Sequence, residues 1–247
     1  MRVADRPVLV APDKFKGTLT AAEVAAAAAR GLARAGVAAD ICRIADGGEG
    51  TIEALTEGVD HELHAVAAHD ALGQAQAGRV ALIDGGRTAL VEVADAIGLA
   101  RIAPGERDAM AASSRGAGEL IAAAAGLGVR EVLVGIGGTA TTDGGRGAIE
   151  ALRAARLAGK RGPLAKMPRL TVLCDARASW EQAATVFSPQ KGADAATVSR
   201  LLRRLDAFAD ELPRDPRDAL FTGCGGGLAG GLWAAAGAEL KSGAGVV

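Results

Sequence analysis

The run Val132-Leu133-Val134-Gly135-Ile136-Gly137-Gly138-Thr139-Ala140-Thr141-Thr142-Asp143-Gly144-Gly145 restricts the fold more than any other part of the chain. It opens as an apolar, β-branched segment, the pattern of a strand buried on both faces of a parallel sheet. It closes on glycines, threonines and one carboxylate, so the strand delivers its chain to something polar. Glycine lets a backbone approach a phosphate closely. The N–H groups of such a turn ahead of a helix start form an anion cradle. Gly137 and Gly138 would supply that backbone, Thr139, Thr141 and Thr142 hydroxyl donors, and Asp143 a base or a metal ligand. The alternative is a tight strand-to-helix turn without a ligand. What argues against it is the recurrence of the same design elsewhere.

Val8–Ala11 reads as a buried strand feeding a loop in which Asp13, Lys14 and Lys16 crowd together before Gly17. Thr20 and Glu23 then form a capping box, opening a helix that ends near Gly36. Lysines at the carboxyl end of a strand are suited to an anionic ligand, although solvated loop lysines are commoner. A second strand, Ala39–Ile44, runs into Asp46-Gly47-Gly48-Glu49-Gly50 and a helix from about Thr51. The helix dipole alone accounts for an acid at Glu49, but one cap does not require three glycines in that space. Asp84-Gly85-Gly86 between two apolar runs predicts a hairpin, and His61, His64 and His69 read as surface residues. Ser113, Ser114 and Arg115 stand at a helix start, as a carboxylate or phosphate contact or as ordinary caps. Leu170–Cys174 is a further strand, with Asp175 at its end. Gln190 and Lys191 place an amide and an amine in a loop bounded by Pro189 and Gly192. Ala195–Leu212 is an amphipathic helix with an arginine-rich outer face, and Gly223–Gly227 opens an apolar helix over 228–236. Strands alternating with helices predict an α/β fold.

Several function classes are excluded by composition and by missing motifs. A net charge of −1 gives no attraction to nucleic acid or anionic lipid, and 2% aromatic residues provide no platform for stacking bases. The alanine-rich run from Ala21 to Ala35 is too short and too mildly apolar to span a bilayer, and no secretion signal is visible, so a cytoplasmic protein without membrane or nucleic-acid partners is expected. Cys42, Cys174 and Cys224 lie far apart without metal spacing, which suits a reducing compartment and disfavours zinc. No Walker A sequence, protein-kinase set or G-x-S-x-G elbow occurs. Isolated acids, loop lysines and glycine cradles fit an anionic, Mg²⁺-associated ligand and phosphoryl transfer, where positioning and charge neutralisation do most of the work. The rival is dinucleotide-dependent oxidoreduction, through Gly135–Ala140 or Gly225–Gly230. The first lacks an immediate helix and a well-placed acid, the second a preceding strand.

Four segments together resemble the bacterial glycerate kinases of the glycerate 2-kinase type. They are Ala11–Thr20, Ala45–Thr51, Gly137–Gly145 and Val186–Ala193, in family order, and Ser113–Leu120 resembles the helix start between the second and third. The resemblance covers nearly the whole chain. It implies two α/β domains, one inserted in the other, with mainly parallel sheets and helices on both faces. Residues 1–64 would form the N-terminal part of the first, completed in the family by C-terminal residues, and 65–247 the second. It also implies ATP-dependent phosphorylation of D-glycerate to 2-phosphoglycerate, with ATP and Mg²⁺ as cofactors. Under it, Asp46 or Asp143 is the base or magnesium ligand, and Lys14 and Lys16 neutralise phosphate or the glycerate carboxylate. Asp13, Glu49, Ser113, Ser114, Arg115, Gly137, Gly138, Thr139, Thr141, Gln190 and Lys191 would bind substrate or phosphate. Four departures accompany it, the first a shorter segment between Gly147 and Leu170 than is usual. Ala176–Trp180 replaces an Asn-Pro and glycine-rich turn, Thr142 stands where Asn is common, and the family usually continues through a G-E-G-R-x-D-like segment beyond this chain's last residue. A shortened member that binds glycerate or nucleotide without turnover is therefore the second expectation, and a homodimer formed through an exposed core edge goes with it.

Overall fold

A computed structural model describes residues 6–12, 15, 18–159, 162–163, 166–217 and 219–245. The chain divides into two compact units, within Met1–Ala45 and Asp46–Val246.

In the first unit, β1 (Val8–Val10) and β2 (Ala39–Ile41) pair in parallel, Val8 opposite Ala39. They are joined through α1 (Ala21–Arg34). The capping box forms as the sequence predicts: Thr20 Oγ1 accepts from Glu23 N at 3.2 Å, while the Glu23 carboxylate accepts from Thr20 N at 2.7 Å. These bonds hold Glu23 below the usual carboxylate range. The expected burial of the first strand is not observed, since Leu9 is 64% and Val8 43% exposed. One strand and one helix cannot enclose both faces of a strand.

The second unit is built on one sheet. After α2 (Thr51–Thr56) come β3 (Glu62–His69), β4 (Ala75–Ile83) and β5 (Thr88–Glu92), an antiparallel meander. The predicted turn joins β4 to β5, with Asp84, Gly85 and Gly86 all at positive φ. Then follow α3 (Ala94–Ile97), α4 (Arg115–Gly126), β6 (Glu131–Gly135), α5 (Arg146–Ala154), the short antiparallel pair β7 (Ala158–Gly159) and β8 (Gly162–Pro163), and β9 (Arg169–Cys174). The remaining elements are α6 (Gln182–Thr185), α7 (Ala195–Glu211), α8 (Leu228–Ala236) and β10 (Glu239–Ser242). The strand order is β10-β9-β6-β5-β4-β3, with β5, β6, β9 and β10 mutually parallel. Each of the parallel connections carries helices, as parallel strands require.

Strand alternation divides the core between two faces. Val80, Val91, Val132, Val134 and Val172 pack with Leu120 and Ile121 of α4, Leu152 of α5 and Leu228 and Leu232 of α8. Ala81 and Leu90, one residue out of step, meet Ile52 of α2 on the opposite face. Helices thus cover both faces of an α/β sheet. A further cluster holds Trp180, Leu201, Leu205 and Phe208 against Ile149 and Ala235, so α7 forms an outer layer.

Candidate functional site

The carboxyl ends of β5, β6 and β9 bring their polar residues to the same edge of the sheet, the place where open parallel sheets bind ligands. The segment Asp46–Gly50 lies directly on them. Gly137 N donates to Gly47 O at 2.9 Å. A methyl group on Gly137 would stand 2.7 Å from Gly48 Cα and 3.0 Å from an Asp175 carboxylate oxygen, and one on Gly135 2.9 Å from Gly47 O. Only side-chain-free backbone permits two chains to touch this closely. Asp46 Oδ1 accepts from Gly48 N at 2.9 Å, a tight turn that Thr51 extends by donating its hydroxyl to Gly48 O at 2.6 Å. A methyl on Gly138, which is exposed, would come within 3.3 Å of Glu49 Oε1. Asp46, Glu49, Gly137 and Gly138 are therefore gathered at one place, and Asp175 joins them.

Asp143 occupies a different position. Its Oδ2 accepts from Ser114 N at 2.8 Å, Ser114 Oγ at 2.8 Å and Gly147 N at 3.2 Å, and its Oδ1 from Gly145 N at 3.0 Å. A buried carboxylate with four donors, lying at the N-termini of both α4 and α5, is held by amides and helix dipoles together. Ser114 makes no cap on its own helix; its Oγ accepts from Ala148 N of α5 at 3.0 Å. Ser113 Oγ accepts from Arg115 N at 3.3 Å, and Arg115 Nε donates to Glu119 at 2.8 Å. Glu119 also binds His69 at 2.9 Å, so His69 is half-buried and paired, contrary to its reading as a plain surface residue.

The loop between β6 and α5 is enclosed by its neighbours. Thr139, Thr141 and Thr142 are buried. Lys191 Nζ donates to Thr141 O at 2.6 Å, and Arg204 to Thr142 O at 2.7 Å. Lys191 is itself buried, and desolvation lowers its amine to about 8, with Asp143 and Asp175 pulling the other way. Gln190 offers its backbone carbonyl to Arg107 at 3.1 Å. Asp13, Lys14 and Lys16 lie outside the described residues.

Three features escaped the sequence reading. Glu92, the last residue of β5, is buried and bound to backbone amides of Gly50 and Ile52. An acid ending an otherwise apolar strand was the available signal. Arg204, assigned to the outer face of α7, reaches inward to Met110 O and Thr142 O. Cys174 and Cys224, fifty residues apart by position number, are brought close in the fold, with their thiols donating to Val172 O and Ala176 O, and the neighbouring thiol together with burial pushes the Cys174 thiol up. No sequence spacing announces such a pair.

The glycerate kinase family model matches residues 8–171 and 160–247. The chain belongs to the glycerate kinase family. A glycerate kinase of Haemophilus influenzae is 36% identical, the match covering 97% of this chain and 71% of the relative. The glycerate 2-kinase of Escherichia coli K12 is 34% identical with the same coverage. The crystal structure of a candidate glycerate kinase 2 from Salmonella typhimurium LT2 superposes with a TM-score of 0.79 at 32% identity, over 98% of this chain and 72% of that one. Two details fit the family better than a dinucleotide enzyme. The helix after Gly135 starts only at Arg146, and among the described residues no strand lies between α7 and α8, ahead of Gly225–Gly230. No described helix is long and apolar enough to cross a membrane.

Proposed function

We propose that this chain is an ATP-dependent kinase that phosphorylates the 2-hydroxyl of D-glycerate, giving 2-phosphoglycerate and ADP. The observation that carries the reading is the junction of Asp46–Glu49 with Gly137 and Asp175 at the strand ends, in a chain of this family. In the reaction the glycerate hydroxyl oxygen bonds to the γ-phosphorus, the bond to the β-phosphate bridging oxygen breaks, and the hydroxyl proton passes to a carboxylate. Asp46 is the better candidate for that carboxylate, because the four donors on Asp143 already use its acceptor capacity. Gly137 and Gly138 would let the phosphates approach the backbone. Lys14 and Lys16 would neutralise charge on the phosphates or the glycerate carboxylate, and Asp13 would contact the bound substrate as a hydrogen-bond acceptor. Glu49, Ser113, Ser114, Arg115, Thr139, Thr141, Gln190 and Lys191 remain proposed contacts or supports of the bound ligands.

Mg²⁺ fits the donor chemistry. Among the described residues no three His, Cys, Asp or Glu side chains converge in a metal cage. Carboxylates in ones and twos, with phosphate oxygens completing the shell, are the usual magnesium arrangement. Either Asp46 or Asp143 would hold the ion, and where Asp46 holds it Asp46 is not also the base, because a carboxylate bound to Mg²⁺ does not take up the proton. When bound, the ion neutralises charge building on the phosphate oxygens. We further propose a cytoplasmic protein, the two family domains with one inserted in the other, and a homodimer.

The test is ADP release from Mg-ATP with and without D-glycerate, followed by NMR of the product. Glycerate-dependent release with phosphate on C2 is expected. Phosphate on C3 would overturn the position. Binding of ATP or glycerate without turnover would replace the kinase with a non-catalytic ligand-binding member.

A further inference from the structure

Glu92 is buried at the carboxyl end of β5, yet its carboxylate makes a specific set of contacts. Oε1 and Oε2 accept from Gly50 N at 3.0 and 3.1 Å, and Oε2 also accepts from Ile52 N at 3.3 Å. These amides begin α2, immediately after Asp46, Gly47, Gly48 and Glu49. We propose that Glu92 is a positioning residue, whose grip on the start of α2 fixes where Asp46–Glu49 lies across the strand ends. The inference rests on reading Asp46 as the reacting carboxylate.

The surroundings make the grip sensitive to charge. Glu53 of α2 and Asp95 of α3 both act on Glu92. Glu49, Asp95 and Arg101 line a cavity of about 240 Å³ with it. Arg79 of β4 bridges Glu53 and Asp95, at 2.8 Å to each. Burial raises the Glu92 carboxyl to about 7, the amides of Gly50 and Ile52 oppose the rise, and Asp95 and Glu53 add to it. When the segment opens, the carboxyl meets water and returns towards 4.5, its ordinary value. A proton therefore favours the seated segment. The gain is complete below the ordinary value and is lost as the pH rises through about 7, where opening becomes easier by up to roughly a few hundredfold.

Amide hydrogen exchange of the full chain, corrected for intrinsic rate, reads this directly over residues 44–56, with α4 as internal reference. Wild-type protection of Gly50 and Ile52 should fall between about pH 5.5 and about pH 8. Glu92→Gln keeps a neutral acceptor and should stay protected at both pH values. Glu92→Ala removes the acceptors and should be unprotected at both, with α4 unaltered. In turnover, Glu92→Ala should lose at least roughly tenfold in kcat while Glu92→Gln retains activity. Protection of 44–56 that ignores pH in the wild type, or that survives Glu92→Ala, overturns the proposal. If Glu92→Ala alters α4 as well, the pH response of wild type against Glu92→Gln decides. If exchange behaves as expected but the wild type never turns over glycerate, Glu92 seats the segment and the kinase reading alone fails.

Discussion

Asp46 and Asp143 show how two carboxylates in glycine-rich settings come to do different things. Each follows a strand and precedes a helix, and local sequence makes them look alike. The hydrogen bonds separate them: one intraloop amide bond on Asp46, four donors from two helices on Asp143. Asp46→Asn should leave the melting temperature nearly unchanged and lower kcat by about 10²–10⁴-fold, the usual worth of a positioned base. Asp143→Ala should instead cost about 3 kcal/mol or more in denaturant unfolding, since several buried donors lose their acceptor at once. A folded Asp46→Asn enzyme with wild-type kcat would remove Asp46 from the reaction. Lys191 gives a second test at this scale, because its folded amine sits near 8 against an ordinary 10.5. The folded state thus binds fewer protons between these values, so stability should rise with pH across that window, by about 3 kcal/mol in the limit. Lys191→Met should abolish that rise in pH-dependent unfolding curves.

Among the elements, the contact of the Asp46–Gly50 segment with the end of β6 is the one on which the site depends. Gly137 is critical there because the atom a methyl would meet, Gly48 Cα at 2.7 Å, belongs to backbone that cannot rotate away. Gly137→Ala should shift the segment, costing about 1–3 kcal/mol of stability by overpacking and a larger share of kcat. Unchanged kinetics in this variant would show that the two loops need not touch. Likewise, α4 and α5 are joined through Asp143 and Ser114, at a crossing where Gly118 lies against Ala148. Helix starts at Arg115 and after Gly145 were legible from glycine and serine signals. Their mutual capping was not, because it links residues 29 and 34 positions apart.

For the molecule as a whole, the enclosure of the strands differs sharply between the two units. β5 is buried along its whole length, whereas β1 is largely exposed and has three residues. Amide exchange should therefore be fastest in Val8–Val10 and Ala39–Ile41 and slowest in Thr88–Glu92 and Glu131–Gly135, the low- and high-stability ends of the chain. Equal protection in both sets would mean that the first unit is covered in solution by something that binds its apolar strand, for which a second copy is testable by sedimentation.

The sequence by itself determined the alternation of strands and helices, the turn at Asp84–Gly86, the Thr20 cap and the glycine-rich strand ends, because each follows from backbone preferences and hydrophobic period over a few neighbours. Its motifs also pointed to the glycerate kinase family. Tertiary structure alone decided which acids face the strand ends and which are consumed as helix anchors. It also decided that Lys191 and Arg204 point inward to loop carbonyls, that Glu92 grips α2, and that Cys174 meets Cys224. These outcomes depend on desolvation and on hydrogen-bond partners brought together by the sheet, and neither is written in the spacing of residues along a chain.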